Sequence, residues 1–302
     1  MKPPVFSYHD PRTPSEAVGL LATLDNAKLL AGGQSLMPML NMRFVLPDHV
    51  IDLNRVDGLS YIRENKGALD IGAIEIGAIE IGAMTRQRDI EFSEVVRTRC
   101  PLMHEAIAQV GHRQTRNRGT LGGSLCHLDP AAELVAVAAT LDATVTVAGK
   151  GGTRSVAFAD FPIAYMTPAV NPDELVVGVS FPCWRQPHGY AFVEFSRRHG
   201  DFAIVSAAAL IEEDDVGKVT RAALTLGGMG PAPLRAAEVE RALIGETIEE
   251  KRLRDICEAL RKLEAMEDIH APASYRQQLA AVLSRRALMK AHERLTTARA
   301  RA

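Results

Sequence analysis

The sequence is poor in residues that could hold a metal. Its 302 residues include four cysteines, Cys100, Cys126, Cys183 and Cys257. No two of them form a C-x-x-C pair, so the chain has no zinc or iron–sulfur framework of its own. None of its nine histidines lies in an H-E-x-x-H pattern. Scattered cysteines of this kind read as reduced packing residues. Any redox chemistry would then need an organic cofactor. A P-loop, a G-x-G-x-x-G and a G-x-S-x-G are all missing, which excludes the usual nucleotide loops and the hydrolase elbow. No apolar run reaches the roughly 18 residues needed to span a bilayer. Met1-Lys2-Pro3-Pro4 lacks a signal-peptide core, so the expected location is the cytoplasm. Net charge is only −2, and aromatics are 5% with a single tryptophan, Trp184. That balance gives no footprint for nucleic acid or an acidic membrane surface. Arg113, Arg116 and Arg118 have no interleaved aromatic platform for RNA.

What is present describes a globular chain. Hydrophobic residues are 47% and charged residues 24%, which argues against disorder. At about 150 residues per domain the length suggests two domains, with more than one core.

The periodicity predicts a helix over Pro14–Leu24, with Ser15 near its start as a cap. A strand follows at Ala27–Ala31, then a short helix over Met37–Val45 and a strand at His49–Leu53. This is a βαβ-like unit. A second unit opens near Leu59, with a turn at Asn65–Gly67 and extended chain from Ala68. Between Ile71 and Met84 the unit Ile-Gly-Ala-Ile-Glu occurs twice and starts a third time. A period of five suits neither strand nor helix, and the copies are too short for a solenoid. The expectation is a local duplication that lengthens a strand or adds a loop. Arg86–Val110 reads as one or two helices split near Cys100-Pro101. Ala131–Leu141 reads as a helix, Ala143–Ala148 as a strand and Pro168–Asp173 as a linker. In a third unit, Leu175–Phe181, Tyr190–Phe195, Ala203–Ile211 and Val219–Leu226 read as strands. Arg235–Leu243, Ile248–Leu263 and Ser274–Leu295 read as helices.

Three constellations could carry chemistry. Leu30-Ala31-Gly32-Gly33-Gln34-Ser35 joins a strand to a helix. It is either a bare turn or a phosphate-binding loop of backbone amides, with Ser35 as a further donor. Gly119-Thr120-Leu121-Gly122-Gly123-Ser124 repeats the theme ahead of the Ala131 helix, with Arg116 and Arg118 nearby. Asp129 reads as that helix's cap or as an acceptor for ribose or a pyrophosphate-linked group. Two such turns, some 90 residues apart, suggest one extended dinucleotide held between two lobes. In Ser196-Arg197-Arg198-His199-Gly200-Asp201-Phe202-Ala203, the charges read as an ion-pair cluster. Phe202 reads as core, or as a ring against a planar cofactor.

Ala31 to Arg43 and Arg116 to Gly123 resemble the two FAD-pyrophosphate motifs of the flavoprotein (medium) subunits of molybdenum hydroxylases. That group includes aerobic carbon monoxide dehydrogenase and xanthine dehydrogenase. The likeness continues through Asp129–Glu133, Phe195–Ala203 and Tyr275 to Leu288, and so covers nearly the whole chain. It implies an α+β protein with the FAD-binding fold of the vanillyl-alcohol-oxidase/PCMH class. Two N-terminal α/β lobes, 1–58 and 59–172, would clasp FAD. A C-terminal domain, 173–302, with an antiparallel sheet and a helical cluster, would cover the flavin. By the same resemblance, Ala31, Gly32, Gly33, Gln34 and Ser35, with Thr120, Leu121, Gly122, Gly123 and Ser124, would bind the pyrophosphate noncovalently. Asp129 would contact the nucleotide portion and Phe202 would lie beside the isoalloxazine. No catalytic residue is expected on this chain. The implied partners are a large molybdopterin subunit and a small subunit with 2Fe–2S clusters, as a dimer of heterotrimers. Electrons would pass from the clusters through FAD to an external acceptor.

Some positions depart from the family pattern. Gln34 replaces a histidine seen in some members, Ser124 stands where Asn often follows the Gly-Gly, and Glu194 stands where Lys is frequent. There is no cysteine-bearing insert for a 4Fe–4S cluster, and the repeat adds two five-residue units to a usual single Ile-Gly-Ala. A stand-alone FAD-dependent oxidoreductase on the same fold is the alternative, and a flavin-free scaffold a third.

Overall fold

The computed structural model describes residues 2–71 and 74–301, with side chains described outside residues 66–76. The first lobe holds β1 (Ser7–His9), α1 (Pro14–Leu21), β2 (Ala27–Leu30), α2 (Leu36–Asn41) and β3 (His49–Asp52). Its strands form a parallel sheet in the order β1-β3-β2. Thr13 caps α1, its hydroxyl accepting the Glu16 amide at 3.2 Å. The expected cap was Ser15, but Pro14 already occupies the first turn, so the capping position falls one residue before it. Ala17, Val18 and Leu21 form the buried stripe that seats α1.

The second lobe holds β4 (Ile62–Ile71), β5 (Ile74–Gly82), α3 (Gln87–Glu91), α4 (Glu94–Arg99), α5 (Pro101–Ile107), α6 (Arg113–Arg118), α7 (Leu121–His127) and α8 (Glu133–Thr140). Strands β6 (Thr144–Gly149), β7 (Gly152–Ala157), β8 (Pro162–Ala164), β9 (Thr167–Pro168) and β10 (Leu175–Pro182) follow. The main sheet runs β4-β5-β10-β6-β7. The expected turn at Asn65–Gly67 is instead part of β4, at a place where the pairing with β5 shifts register. The repeat is strand: Ile71 ends β4 and pairs with Ile74, and residues 74–82 form β5. Gly72 and Ala73 of the repeat lie outside the described residues. The expected strand at Leu175–Phe181 is present, but as the central strand of this sheet rather than part of the third unit. It is largely buried and pairs antiparallel with β5 on one side and β6 on the other.

The third unit holds β11 (Gly189–Phe195), β12 (Val205–Glu213), β13 (Val219–Gly227), β14 (Leu234–Arg235), α9 (Ala237–Leu243), α10 (Glu250–Cys257) and α11 (Ala273–Arg299). Its antiparallel sheet runs in chain order, β11-β12-β13-β14. Period-two alternation gives β12 two buried faces. Ala208 and Leu210 join the core of the second lobe, while Ala207, Ala209 and Ile211 pack under α9, α10 and α11. The sheet is thus sandwiched between the second lobe and the helical cluster. Glu105 of α5 pins this junction. It accepts from Arg294 at 2.6 and 3.0 Å, from Lys290 at 2.5 Å and from the Phe192 amide at 3.0 Å. Burial alone would raise its pKa, but these donors hold the carboxyl below the usual range.

All four cysteines are free. Burial pushes the thiols of Cys100, Cys126 and Cys257 up to about 12, which disfavours their thiolate forms at neutral pH. No helix among the described residues is long and apolar enough to cross a membrane.

Candidate cofactor-binding site

The loop between β2 and α2 turns because Gly33 takes φ +76°. Its neighbour Gly32 packs against the second Gly-Gly segment. A Cβ on Gly32 would overlap the carbonyl of Arg118 and the Cα of Gly119. The amides of Gly32, Gly33, Gln34 and Ser35 donate to no acceptor among the described residues. Four successive amides without an acceptor form a concave site for an anion.

The second segment is built differently. Its Gly-Gly does not precede the Ala131 helix directly but lies in the first turn of α7. Thr120 caps that helix, accepting the Gly123 amide at 3.1 Å. Leu121 donates to Thr85, Gly122 to Ala83 and Ser124 to Thr120. These amides are therefore committed inside the fold, and the segment lines the cavity through Thr120, Gly122, Gly123 and Ser124. Leu121 is fully buried in the core.

Between the two segments lies a cavity of about 390 Å³. Ala31, Gly32, Gly33, Gln34, Ser35, Thr120, Gly122, Gly123, Ser124, Asp129 and Phe202 all line it. One strand–helix loop, one helix start and one loop of the third unit are thus brought together from far apart in sequence. Asp129 is not the helix cap it resembled. Its Oδ1 accepts the Ala131 amide at 2.9 Å, and α8 starts later, with Ala132 as cap. Phe202 is not core either: its ring is 61% exposed at the cavity edge. The expected ion-pair cluster around it does not form. Arg197 donates instead to the carbonyl of His270 at 2.9 Å. A second cavity of about 660 Å³ adjoins the first, sharing Asp129 and Phe202 as lining.

Several residues of the site carried no local signal. Arg86 fastens the two Gly-Gly segments together. It donates to the Arg118 carbonyl and, at 2.5 Å, to Asn54 Oδ1. Asn54 in turn donates to the Ala31 carbonyl at 3.0 Å. Gln87 lines the cavity with its buried Oε1 unpartnered, against Gly119. Arg116, read as a source of positive charge for the site, is spent elsewhere. It pairs with Glu91 at 2.9 and 3.0 Å and donates to the carbonyls of Val110 and Gly111. Glu133 also lines the cavity, and burial pushes its carboxyl up to about 8, helped by nearby Glu194 and Asp129. Burial likewise raises Glu194 to about 7.

The cradle suits a pyrophosphate: amides with no acceptor among the described residues, hydroxyl-bearing residues in the same lining, and glycines where a side chain would close it. Comparison with known proteins agrees. The family described as FAD binding domain in molybdopterin dehydrogenase matches residues 4–76 and 74–184. The two matched pieces meet, and overlap, within the five-residue repeat. The CO dehydrogenase flavoprotein C-terminal domain matches residues 190–291. The chain is 39% identical to the 6-hydroxypseudooxynicotine dehydrogenase complex subunit alpha of Paenarthrobacter nicotinovorans, over 97% of each chain. It is 33% identical to the carbon monoxide dehydrogenase medium chain of Hydrogenophaga pseudoflava, over 97% of this chain and 99% of that one. The solved carbon monoxide dehydrogenase of Hydrogenophaga pseudoflava superimposes with a TM-score of 0.90 at 34% identity, covering 97% of this chain and 99% of that one. In sequence, cavity chemistry and fold alike, the chain belongs to the FAD-binding medium subunits of the molybdenum hydroxylase family.

Proposed function

We propose that the chain binds one FAD noncovalently and serves as the electron-transfer subunit of a heteromeric molybdenum hydroxylase. The observation that carries this reading is the row of four amides at Gly32–Ser35 with no acceptor among the described residues, lining one cavity together with Thr120 and Ser124. Ala31 to Ser35 hold one side of the pyrophosphate. Thr120, Gly122, Gly123 and Ser124 hold the other, with Leu121 supporting from the core. Asp129 contacts the nucleotide portion, and the exposed ring of Phe202 lies beside the isoalloxazine. When bound, FAD accepts and passes on electrons, while the protein binds, orients and shields it.

In this reading the fold is of the vanillyl-alcohol-oxidase/PCMH class. The first lobe spans 1–58 and the second 59–172, with 173–302 covering the flavin and lending β10 to the second lobe's sheet. The substrate-oxidising centre sits on a large molybdopterin subunit, and 2Fe–2S clusters on a small subunit feed electrons to FAD. The assembly is a dimer of heterotrimers in the cytoplasm. Relatives named as a complex subunit and as a medium chain support the multisubunit part of the proposal.

The test is direct. The purified chain should bind FAD in a one-to-one ratio and release it on acid precipitation. Alone it should oxidise no substrate, and mixed with cluster-bearing and molybdopterin subunits it should. A chain that never takes up flavin sinks the reading. Substrate turnover by the chain alone would favour a stand-alone oxidoreductase.

A further inference from the structure

Phe202 stands on a loop, 196–204, that joins β11 to β12. Its ring is exposed, so the backbone of that loop sets where it lies. The loop is closed at its base by the Ile204 amide, which donates to the Phe195 carbonyl at 2.7 Å. Its anchor is Arg276, in the first turn of α11 and only 3% exposed. A buried guanidinium is costly unless its donors are taken up, and those of Arg276 go to three separate segments. One nitrogen, Nη1, donates to the carbonyl of Ile204, at the end of the Phe202 loop, and to the carbonyl of Gly228 at 2.8 Å. The other, Nη2, donates to Asp268 Oδ2 at 2.8 Å. Asp268 Oδ1 accepts the amides of His270 and Ala271 at 2.8 and 3.0 Å. The His270 carbonyl in turn receives Arg197, from the start of the loop, at 2.9 Å. Both ends of the loop are thus fastened through one guanidinium.

The Gly228 arm reaches the other residue that the two cavities share. The Gly228 amide donates to the Pro130 carbonyl at 2.8 Å, next to Asp129. Gly228 takes φ +76°, and a Cβ there would stand 2.4 Å from the Ile204 carbonyl oxygen. The two carbonyls that Arg276 gathers can therefore lie together because residue 228 is glycine. We propose that Arg276 is a positioning residue for the cofactor: it sets Phe202, and through Gly228 and Pro130 the Asp129 loop, against FAD. This rests on the reading that FAD fills the first cavity with its isoalloxazine beside Phe202. Lysine is no substitute, because an ammonium on a flexible stem does not span acceptors arranged around a planar fork.

Two measurements on the full chain test this. The first is hydrogen exchange of the cofactor-free chain, read by peptide mass spectrometry. In Arg276→Lys, exchange should rise at least about tenfold in peptides covering 196–204, 228 and 268–271, the factor for losing one hydrogen bond to a charged group. Over 27–36 it should match the unmodified chain. Exchange raised everywhere alike, or nowhere, overturns the positioning role. The second is FAD affinity by flavin-fluorescence titration, in a double-mutant cycle with Phe202→Ala. Phe202→Ala should weaken binding about two- to tenfold, the worth of one aromatic contact, and Arg276→Lys should do so by a similar factor. The double variant should bind no more weakly than the weaker-binding single variant, because both remove the same contact, whereas independent effects multiply. Multiplied effects, or unchanged affinity in Arg276→Lys, overturn the proposal. If Arg276→Lys does not fold, Asp268→Ala takes its place in both measurements, since it cuts the tie to the start of the loop at a partly exposed carboxylate. Unchanged affinity in Phe202→Ala overturns the placement of its ring. No flavin uptake by the unmodified chain overturns the cofactor reading itself, whatever the exchange pattern.

Discussion

Gly32 marks where the chemistry of the site meets the limits of packing. A methyl group there would collide with the backbone of Arg118 and Gly119, not with a flexible side chain that could yield. Gly32→Ala should therefore force the two Gly-Gly segments apart and weaken FAD binding at least about tenfold, or 1.4 kcal/mol, measured by fluorescence titration. Gly123→Ala should act similarly, since its Cβ would stand 2.7 Å from the capping hydroxyl of Thr120. The raised carboxyls make a second prediction at this scale. Glu133 and Glu194 ionise at about 8 and about 7 in the folded chain, against an ordinary value of 4.5. The folded state then binds more protons than the unfolded one, so stability falls as pH rises from about 4.5 towards 8. Glu133→Gln should melt higher than the unmodified chain at pH 8, by roughly 2–4 °C per kcal/mol regained, with the gain disappearing near pH 5. Thermal melts at both pH values check it. The sequence displayed the glycines and hydroxyls because each works within its own short segment. It did not display Arg86 or Asn54, whose contacts span 32 residues, nor Glu133, whose significance is its burial. Asp129 and Phe202 were visible as candidates, but only tertiary structure separates a cap from a loop acceptor, or a core ring from an exposed one.

The β4–β5 hairpin carries the clearest conflict between local signal and element. Asn-Lys-Gly at 65–67 is a good turn, yet the chain runs on as strand to Ile71. The repeat explains this. It supplies extra Ile-Gly-Ala units, so the ladder can close further out, with a register shift left at the bypassed turn. Register is weakly specified where a strand repeats itself. The family match also breaks at this point, with residues 74–76 counted in both pieces. Deleting Ile71–Glu80 would leave one Ile-Gly-Ala after Asp70, and Asn65–Gly67 would become the hairpin turn. Ala83, which ends the retained copy, and Met84, which follows it, both line the cavity. The deletion variant should fold and bind FAD within about threefold of the full chain, under 1 kcal/mol. Loss of flavin binding would show that the lengthened hairpin supports the site. Other elements were readable because hydrophobic period and turn residues agree, as in β12 and the long α11. Membership of β10 was not, since a buried strand records that it is covered on both faces, not which sheet covers it.

For the whole molecule, the cavity exists only because three units meet around it. The first supplies the amides, the second the hydroxyls and the third Phe202. The third unit is held to the second partly by apolar contact and partly by Glu105, which gathers Arg294, Lys290 and the Phe192 amide at one carboxylate. Its own side chain is 16% exposed and those of Arg294 and Lys290 31% and 41%, so solvent screens part of the attraction. Removing the carboxylate strands a half-buried guanidinium and an amide, and should cost about 2–3 kcal/mol, below the range for a fully buried pair. Because these partners depress the Glu105 pKa, its contribution is complete above the ordinary carboxylate range. It is lost as pH falls through the folded value. Glu105→Ala should thus lower the melting temperature by about 5–10 °C at pH 7, and by less in acid, where the native carboxylate is itself protonated. If the junction also fixes Phe202 over the cavity, the same variant should bind FAD more weakly. Its bound flavin should be more easily quenched by iodide, since the third unit would cover it less closely. Unchanged quenching alongside a lowered melting temperature would mean that the junction stabilises the chain without shaping the cover of the cofactor.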